Sequence, residues 1–302
     1  MHLLEKKACE SMSLPLVHHR YLDVDGVGVF YRESVPGRAE APTLLLLHGF
    51  PSASHQFRRL IDVLGDRYRL VAPDYPGFGN TTTPADFEYT FDHLADITEA
   101  FVQQLGLHRF AMYVFDFGAP IGFRLAERHP EWVTGLIVQN GNVYEAGLSD
   151  GAREFISLRP EQEGARDTIR RLLAPAGTRS QYETGVPEVT TLSPESWLLD
   201  QYFLGLPGRE EAQMALAFDY RSNIARYPAW QGWLRKYAPP TLITWGANDP
   251  FFPAPGAHAY LTDLPDAELH LFDTGHFALE THLGEIARLI AAFLDRLPDS
   301  GL

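Results

Sequence analysis

The stretch Tyr113-Val114-Phe115-Asp116-Phe117-Gly118-Ala119-Pro120-Ile121-Gly122 runs an apolar strand into one polar residue, then into small residues that open a helix. Such a strand–turn–helix elbow, usually written G-x-S-x-G, exposes its central side chain above a sheet on a strained backbone. Gly118 and Gly122 supply small residues on the helix side, whereas Val114 is bulky on the strand side. The central residue is a carboxylate, not a hydroxyl. A carboxylate is ionised at neutral pH without a partner base, and it attacks sp³ carbon to leave an ester on the protein. Read alone, Asp116 fits a helix N-cap equally well, because aspartate is favoured there.

Other residues shift that balance. His48-Gly49-Phe50-Pro51 follows the apolar run Thr43–Leu47, and a turn there can aim the Phe50 amide into a cleft beside the Phe117 amide. Two such donors form an oxyanion hole. An ordinary Gly-Pro turn is the plainer alternative. Asp74, in Asp74-Tyr75-Pro76-Gly77-Phe78-Gly79, reads as a loop-ordering group. Asp249 lies just past Thr241–Trp245, and His276 lies in a glycine turn just past Leu269–Phe272. The chain order is therefore nucleophile, acid, base, as this elbow requires. His276 stands apart from the other histidines because open sheets place their sites at the carboxyl ends of strands.

These residues need a frame. Thr43–Leu47, Tyr68–Ala72, Phe110–Phe115 and Leu136–Val138 are apolar or β-rich runs, as in strands buried on both faces, and Thr241–Trp245 and Leu269–Phe272 read as further strands. Helices are predicted at Gln56–Leu64, Leu94–Leu105, Ala119–Glu127 and Gly284–Leu297; the last puts Ile286, Leu289, Ile290, Phe293 and Leu294 on one stripe. The alternation predicts an α/β fold, a mostly parallel central sheet with helices on both faces. From about 142 to 233 the rhythm stops. That stretch, rich in Arg, Glu and Pro, reads as a helical cap between core segments 1–141 and 234–302.

Composition narrows the functions. The 302 residues carry 25 Lys and Arg against 39 Asp and Glu, a net charge of −14. An acidic chain without a basic cluster is a poor partner for nucleic acid or an anionic membrane. The single cysteine, Cys9, rules out an internal disulfide and a cysteine metal cage. No run approaches membrane-spanning length and the first residues hold no apolar leader core, so a cytoplasmic location is expected and the sequon at Asn80-Thr81-Thr82 is read as chance. No clustered ligand set points to a metal or an organic cofactor.

Together the elbow, the His48–Pro51 turn, Asp249 and His276 resemble the α/β-hydrolase superfamily, and within it the epoxide hydrolases, with haloalkane dehalogenases as near relatives. The resemblance implies an α/β-hydrolase fold with a helical lid at the insertion. It also implies Asp116 as nucleophile, Asp249 as charge-relay acid, His276 as base, and Phe50 and Phe117 as oxyanion-hole amides. Lid tyrosines of such epoxide hydrolases hold the ring oxygen; Phe218-Asp219-Tyr220-Arg221-Ser222-Asn223 matches that pattern at Tyr220, and Tyr182 in Ser180-Gln181-Tyr182 is the candidate for a second. Packing is the alternative role for either ring. Haloalkane dehalogenases grip halide with side-chain N–H groups, usually Trp beside the nucleophile and often Asn in the HGxP turn, where this chain has Phe117 and Phe50. The expected substrate is a small apolar epoxide, opened to a vicinal diol; dehalogenation and a non-catalytic small-molecule receptor are the alternatives.

Overall fold

The structure is a computed structural model that describes residues 14–38 and 40–297. Cys9 lies outside them. The first two strands, β1 (Leu16–Val24) and β2 (Val27–Val35), form a hairpin turned by Asp25-Gly26, both with positive φ. Asp-Gly suits such a two-residue turn because its twist matches that of the strands. Six strands follow: β3 (Thr43–Leu47), β4 (Arg69–Pro73), β5 (Phe110–Phe115), β6 (Val133–Gln139), β7 (Thr241–Gly246) and β8 (Glu268–Phe272). The sheet order is β1-β2-β4-β3-β5-β6-β7-β8, and every pair after β2–β4 is parallel.

Five core helices pack on them: α1 (Arg58–Leu64), α2 (Phe91–Gln104), α3 (Gly118–Arg128) and, further on, the pair that closes the chain. The alternation of β3 shows how the layers form. Leu45 and Leu47 pack with the residues of α2 and α3, such as Phe101 and Ile121. Leu44 and Leu46 pack on the opposite face with Leu60 and Ile61 of α1 and with Ile290 of the final helix. All four leucines have no exposed surface, and each such burial is worth about 1.5–3 kcal/mol. The apolar run is thus the consequence of cover on both faces.

Between β6 and β7 the described chain contains no strand. It forms α4 (Asp150–Ser157), α5 (Ala165–Leu173), α6 (Pro175–Glu183), α7 (Glu195–Leu204), α8 (Arg209–Asp219) and α9 (Arg221–Tyr237). Helix α9 runs past 233, the expected boundary, and ends only where Ala238 turns left-handed at φ 40°. The chain then re-enters the sheet and finishes with α10 (Pro255–Asp263) and α11 (Ala278–Arg296). Among the described residues no helix is long and apolar enough to cross a membrane.

Candidate active site

Asp116 follows β5 with φ 48°, a backbone region that side chains other than glycine rarely adopt. Such a conformation costs on the order of 1–3 kcal/mol and persists where its surroundings dictate it. Here β5 is buried throughout and α3 starts two residues later. A side chain on Gly49 would run into Asp116, and a methyl on Gly122 would come within 2.7 Å of Val114 Cγ1. The helix glycine therefore makes room for the bulky strand valine. Helix α3 has Phe117 at its N-cap and no side-chain cap. The capping alternative for Asp116 thus fails.

The carboxylate is occupied elsewhere. The Phe50 amide donates to Asp116 Oδ1 at 2.6 Å, and the Phe117 amide also hydrogen-bonds the carboxylate. The turn that aims Phe50 is pinned by His48. Its Nδ1 faces Gly49 O at 3.1 Å, and its Nε2 accepts from the Tyr75 amide at 3.2 Å, which fixes a neutral tautomer. Burial pushes the His48 imidazole down to about 4, consistent with that role. Asp74 accepts from the Ser54 and Asn80 amides at 2.7 and 2.8 Å and so joins two loops.

His276 reaches the elbow from beyond β8. Its Nδ1 lies 2.6 Å from Asp249 Oδ2, and its Nε2 lies 3.9 Å from Asp116 Oδ2. Asp249 is fully committed: the Phe251 and Phe252 amides donate to Oδ1 at 2.8 and 3.1 Å, and Asn140 Nδ2 donates to Oδ2 at 2.7 Å. Asn140, itself at φ 43°, also bonds both the Gly246 amide and the Gly246 carbonyl, tying β6 to the loop after β7. Burial raises the Asp116 carboxyl to about 6, against the pull of His276 and the two amides. Burial works to lower the His276 imidazole, but the Asp249 charge and hydrogen bond outweigh it, with Asp116 adding, and the net shift is upward.

These groups open onto a cavity of about 580 Å³. Phe50, Phe117, Phe251 and Phe252 line it from the core, and Phe155, Ile156, Leu172 and Ala217 from the helices between β6 and β7. Tyr220 joins them from the junction of α8 and α9, packed edge-on to Phe91 and against Phe117 at ring separations of 5.7 Å each. Burial, then the neighbouring Tyr227 and Asp116, raise its phenol well above the usual tyrosine value, so it is a neutral donor. Beside it, the Tyr227 hydroxyl accepts from Asn142 Nδ2 at 3.3 Å.

Tyr182 is a correction to the sequence reading. It is not among the residues that line the cavity. Its ring stacks on Phe277 at 3.9 Å and its hydroxyl donates to Asp200 at 2.5 Å, with His55 Nε2 2.8 Å from the other carboxylate oxygen. A phenol bound to a buried carboxylate has no free proton to offer a ligand. The sequence reading also passed over Asn140, Asn142 and Tyr227. The doublet Asn140-Gly141-Asn142 at the end of a buried strand was the available signal, because a buried amide there must bond a neighbouring loop.

A family model described as the alpha/beta hydrolase fold matches residues 42–283. The chain belongs to this family. It is 43% identical over 277 residues to an uncharacterised hydrolase of Saccharomyces cerevisiae, covering 90% of this chain and 95% of that one. It is 31% identical over 216 residues to haloalkane dehalogenase 2 of Mycobacterium tuberculosis, covering 70% and 72%. With epoxide hydrolase 3 of Xenopus tropicalis this α/β hydrolase shares 26% identity over 91% of its own length and 77% of the relative's. A loop variant of the Bradyrhizobium elkanii haloalkane dehalogenase superposes with a TM-score of 0.70 over 94% and 98% of the two chains, at 24% identity. That likeness concerns the fold. Among the described residues no group of three or more His, Cys, Asp or Glu side chains could hold a metal ion.

Proposed function

We propose that this α/β hydrolase opens apolar epoxides to vicinal diols through an ester on Asp116. Asp116 Oδ2, the carboxylate oxygen opposite the one that the Phe50 amide holds, attacks one ring carbon; the C–O bond breaks and its electron pair goes to the ring oxygen, which Tyr220 protonates. His276, oriented by Asp249, then takes a proton from water, which adds to the Asp116 carbonyl carbon. The oxyanion formed on Oδ1 rests on the Phe50 and Phe117 amides; its collapse expels the alkoxide, which takes the proton held by His276 and leaves as the diol, and the proton of the regenerated Asp116 carboxyl returns to the Tyr220 phenolate. The amide on Oδ1 in the resting protein supports this order of events. In a serine hydrolase the same donors would hold the substrate's carbonyl; here the carbonyl to be hydrolysed is the enzyme's own.

The observation that carries the choice of an epoxide is the donor set around Asp116. A phenol lines the cavity with the carboxylate, and the two positions flanking the hole are Phe50 and Phe117, whose rings donate nothing. A nascent alkoxide needs a proton, which a phenol supplies; a departing halide needs N–H groups. The apolar walls and a volume of about 580 Å³ suit a substrate of drug-like size. The second reading, haloalkane dehalogenation, is favoured by the 31% identity to the mycobacterial dehalogenase. Incubation with an aryl epoxide and with a bromoalkane separates them: the proposal expects diol from the first and no halide from the second. Halide release without diol would overturn it.

A further inference from the structure

Nothing in the ring-opening chemistry accounts for Arg124, a guanidinium only 1% exposed in the second turn of α3. Burying a cation is costly and seldom a source of stability in itself. Its donors are spread over four acceptors. Nε bonds Asp92 Oδ1 at 2.6 Å, Nη1 bonds Pro120 O at 3.1 Å and Asn223 Oδ1 at 2.7 Å, and Nη2 bonds Ser222 Oγ at 3.3 Å. Its plane lies over Phe91 and Trp230. Only an arginine has donors pointing in enough directions to do this; a lysine presents three from one nitrogen.

The acceptors show what is being held. Ser222 and Asn223 lie two and three residues after Tyr220, in the first turn of α9. On the other side, Asp219 accepts from the Phe91 amide at 2.8 Å and from Ser222 Oγ at 3.3 Å. Tyr220 is the junction residue between α8 and α9, and each of its flanks is tied to the core. The tie on the α9 side runs along α3, the helix that the elbow itself begins. From Gly118 to Arg124 is six residues, a rise of about 9 Å of rigid helix.

We infer that Arg124 is a positioning residue, which through Asn223 and Ser222 registers the Tyr220 hydroxyl against Asp116. The inference rests on the epoxide reading above. It makes the lid tyrosine and the nucleophile two ends of one braced unit, so that loosening the brace slows the step that uses Tyr220 and spares the step that does not. Loss of about an ångström in alignment costs on the order of a hundredfold in rate.

The test is a double-mutant cycle read by single-turnover kinetics, following ester formation and ester hydrolysis separately. Asn223→Ala removes the lid half of the brace and Arg124→Lys weakens the core half, so the result does not hang on one variant folding. Each is expected to slow ester formation by about ten- to a hundredfold and leave ester hydrolysis within about twofold. In a Tyr220→Phe background neither should slow ester formation further. Additive losses, or equal slowing of both steps, would overturn the inference while leaving the epoxide reading intact. Wild-type protein that forms no ester with any epoxide would overturn that reading, and the inference with it.

Discussion

The strand-end loops and the helices above them build the site in different ways. Asp116, Asp249 and His276 each sit within a few residues of the carboxyl end of a strand, and backbone amides hold both carboxylates directly. Tyr220 hangs from a junction between two helices, and side chains hold it: Asp219, Ser222 and Asn223 reaching to Phe91 and Arg124. Main-chain bonds fix the first group as soon as the sheet forms. The second depends on several side-chain contacts being made together, so it is the part that one substitution can misplace. The same contrast separates the two chemical steps, since the proposed hydrolysis uses only strand-end groups and ring opening needs the lid as well.

Asp116→Ala should have the largest effect. It removes the proposed nucleophile without touching the sheet, and turnover should fall by on the order of 10⁴-fold or more while circular dichroism is unchanged. Substantial residual activity in the folded variant would remove Asp116 from the mechanism. Tyr220→Phe should slow ester formation by about a hundred- to a thousandfold, the usual range for one lost transition-state donor, and leave ester hydrolysis nearly unaltered. Equal slowing of both steps would reduce Tyr220 to packing and dissolve the division between the two regions.

Acid sharpens the contrast differently. With the Asp116 carboxyl raised to about 6 by burial, its nucleophilic form is present above that pH and lost as pH falls through it. Ester formation measured in pre-steady state should therefore fall about tenfold per pH unit below about 6. Because the imidazole and carboxylate interact, the profile reports the pair. A flat profile down to pH 4.5 would contradict the burial of Asp116. The smallest kinetic effect belongs to Tyr182→Phe. It should change ester formation less than about threefold, yet lower stability by about 1–3 kcal/mol, since Asp200 loses a buried partner. Strong loss of ring opening with stability unchanged would return Tyr182 to the site.

How much the sequence revealed follows the same line. The core motifs were legible because turns leave residue-type signatures: Gly49 and Gly118 stand where no side chain fits, and apolar runs stop where the sheet does. The β1–β2 hairpin was signalled by Asp25-Gly26 yet not assigned, because β1 is largely exposed and polar residues interrupt both strands. Between β6 and β7 the signal weakens. Tyr182 in α6 and Tyr220 at the α8–α9 junction are both buried aromatics, and nothing local reveals that one phenol meets Asp200 and the other a cavity. Nothing local marks Arg124 either. Its burial depends on Asn223, 99 positions along the chain.

The central claim is that the bond broken by water is one between Asp116 and the substrate. Single turnover of the wild-type protein in heavy-oxygen water, with excess enzyme over an aryl epoxide, tests it most directly. The account predicts that the label enters the peptide containing Asp116 and is absent from the first-formed diol, because water attacks the carboxyl carbon. His276→Gln should meanwhile accumulate an adduct of the substrate's mass on that peptide, its hydrolysis slowed about a hundred- to ten-thousandfold. Label found only in the diol, with no adduct in His276→Gln, would mean that water attacks the epoxide itself and that Asp116 is a general base.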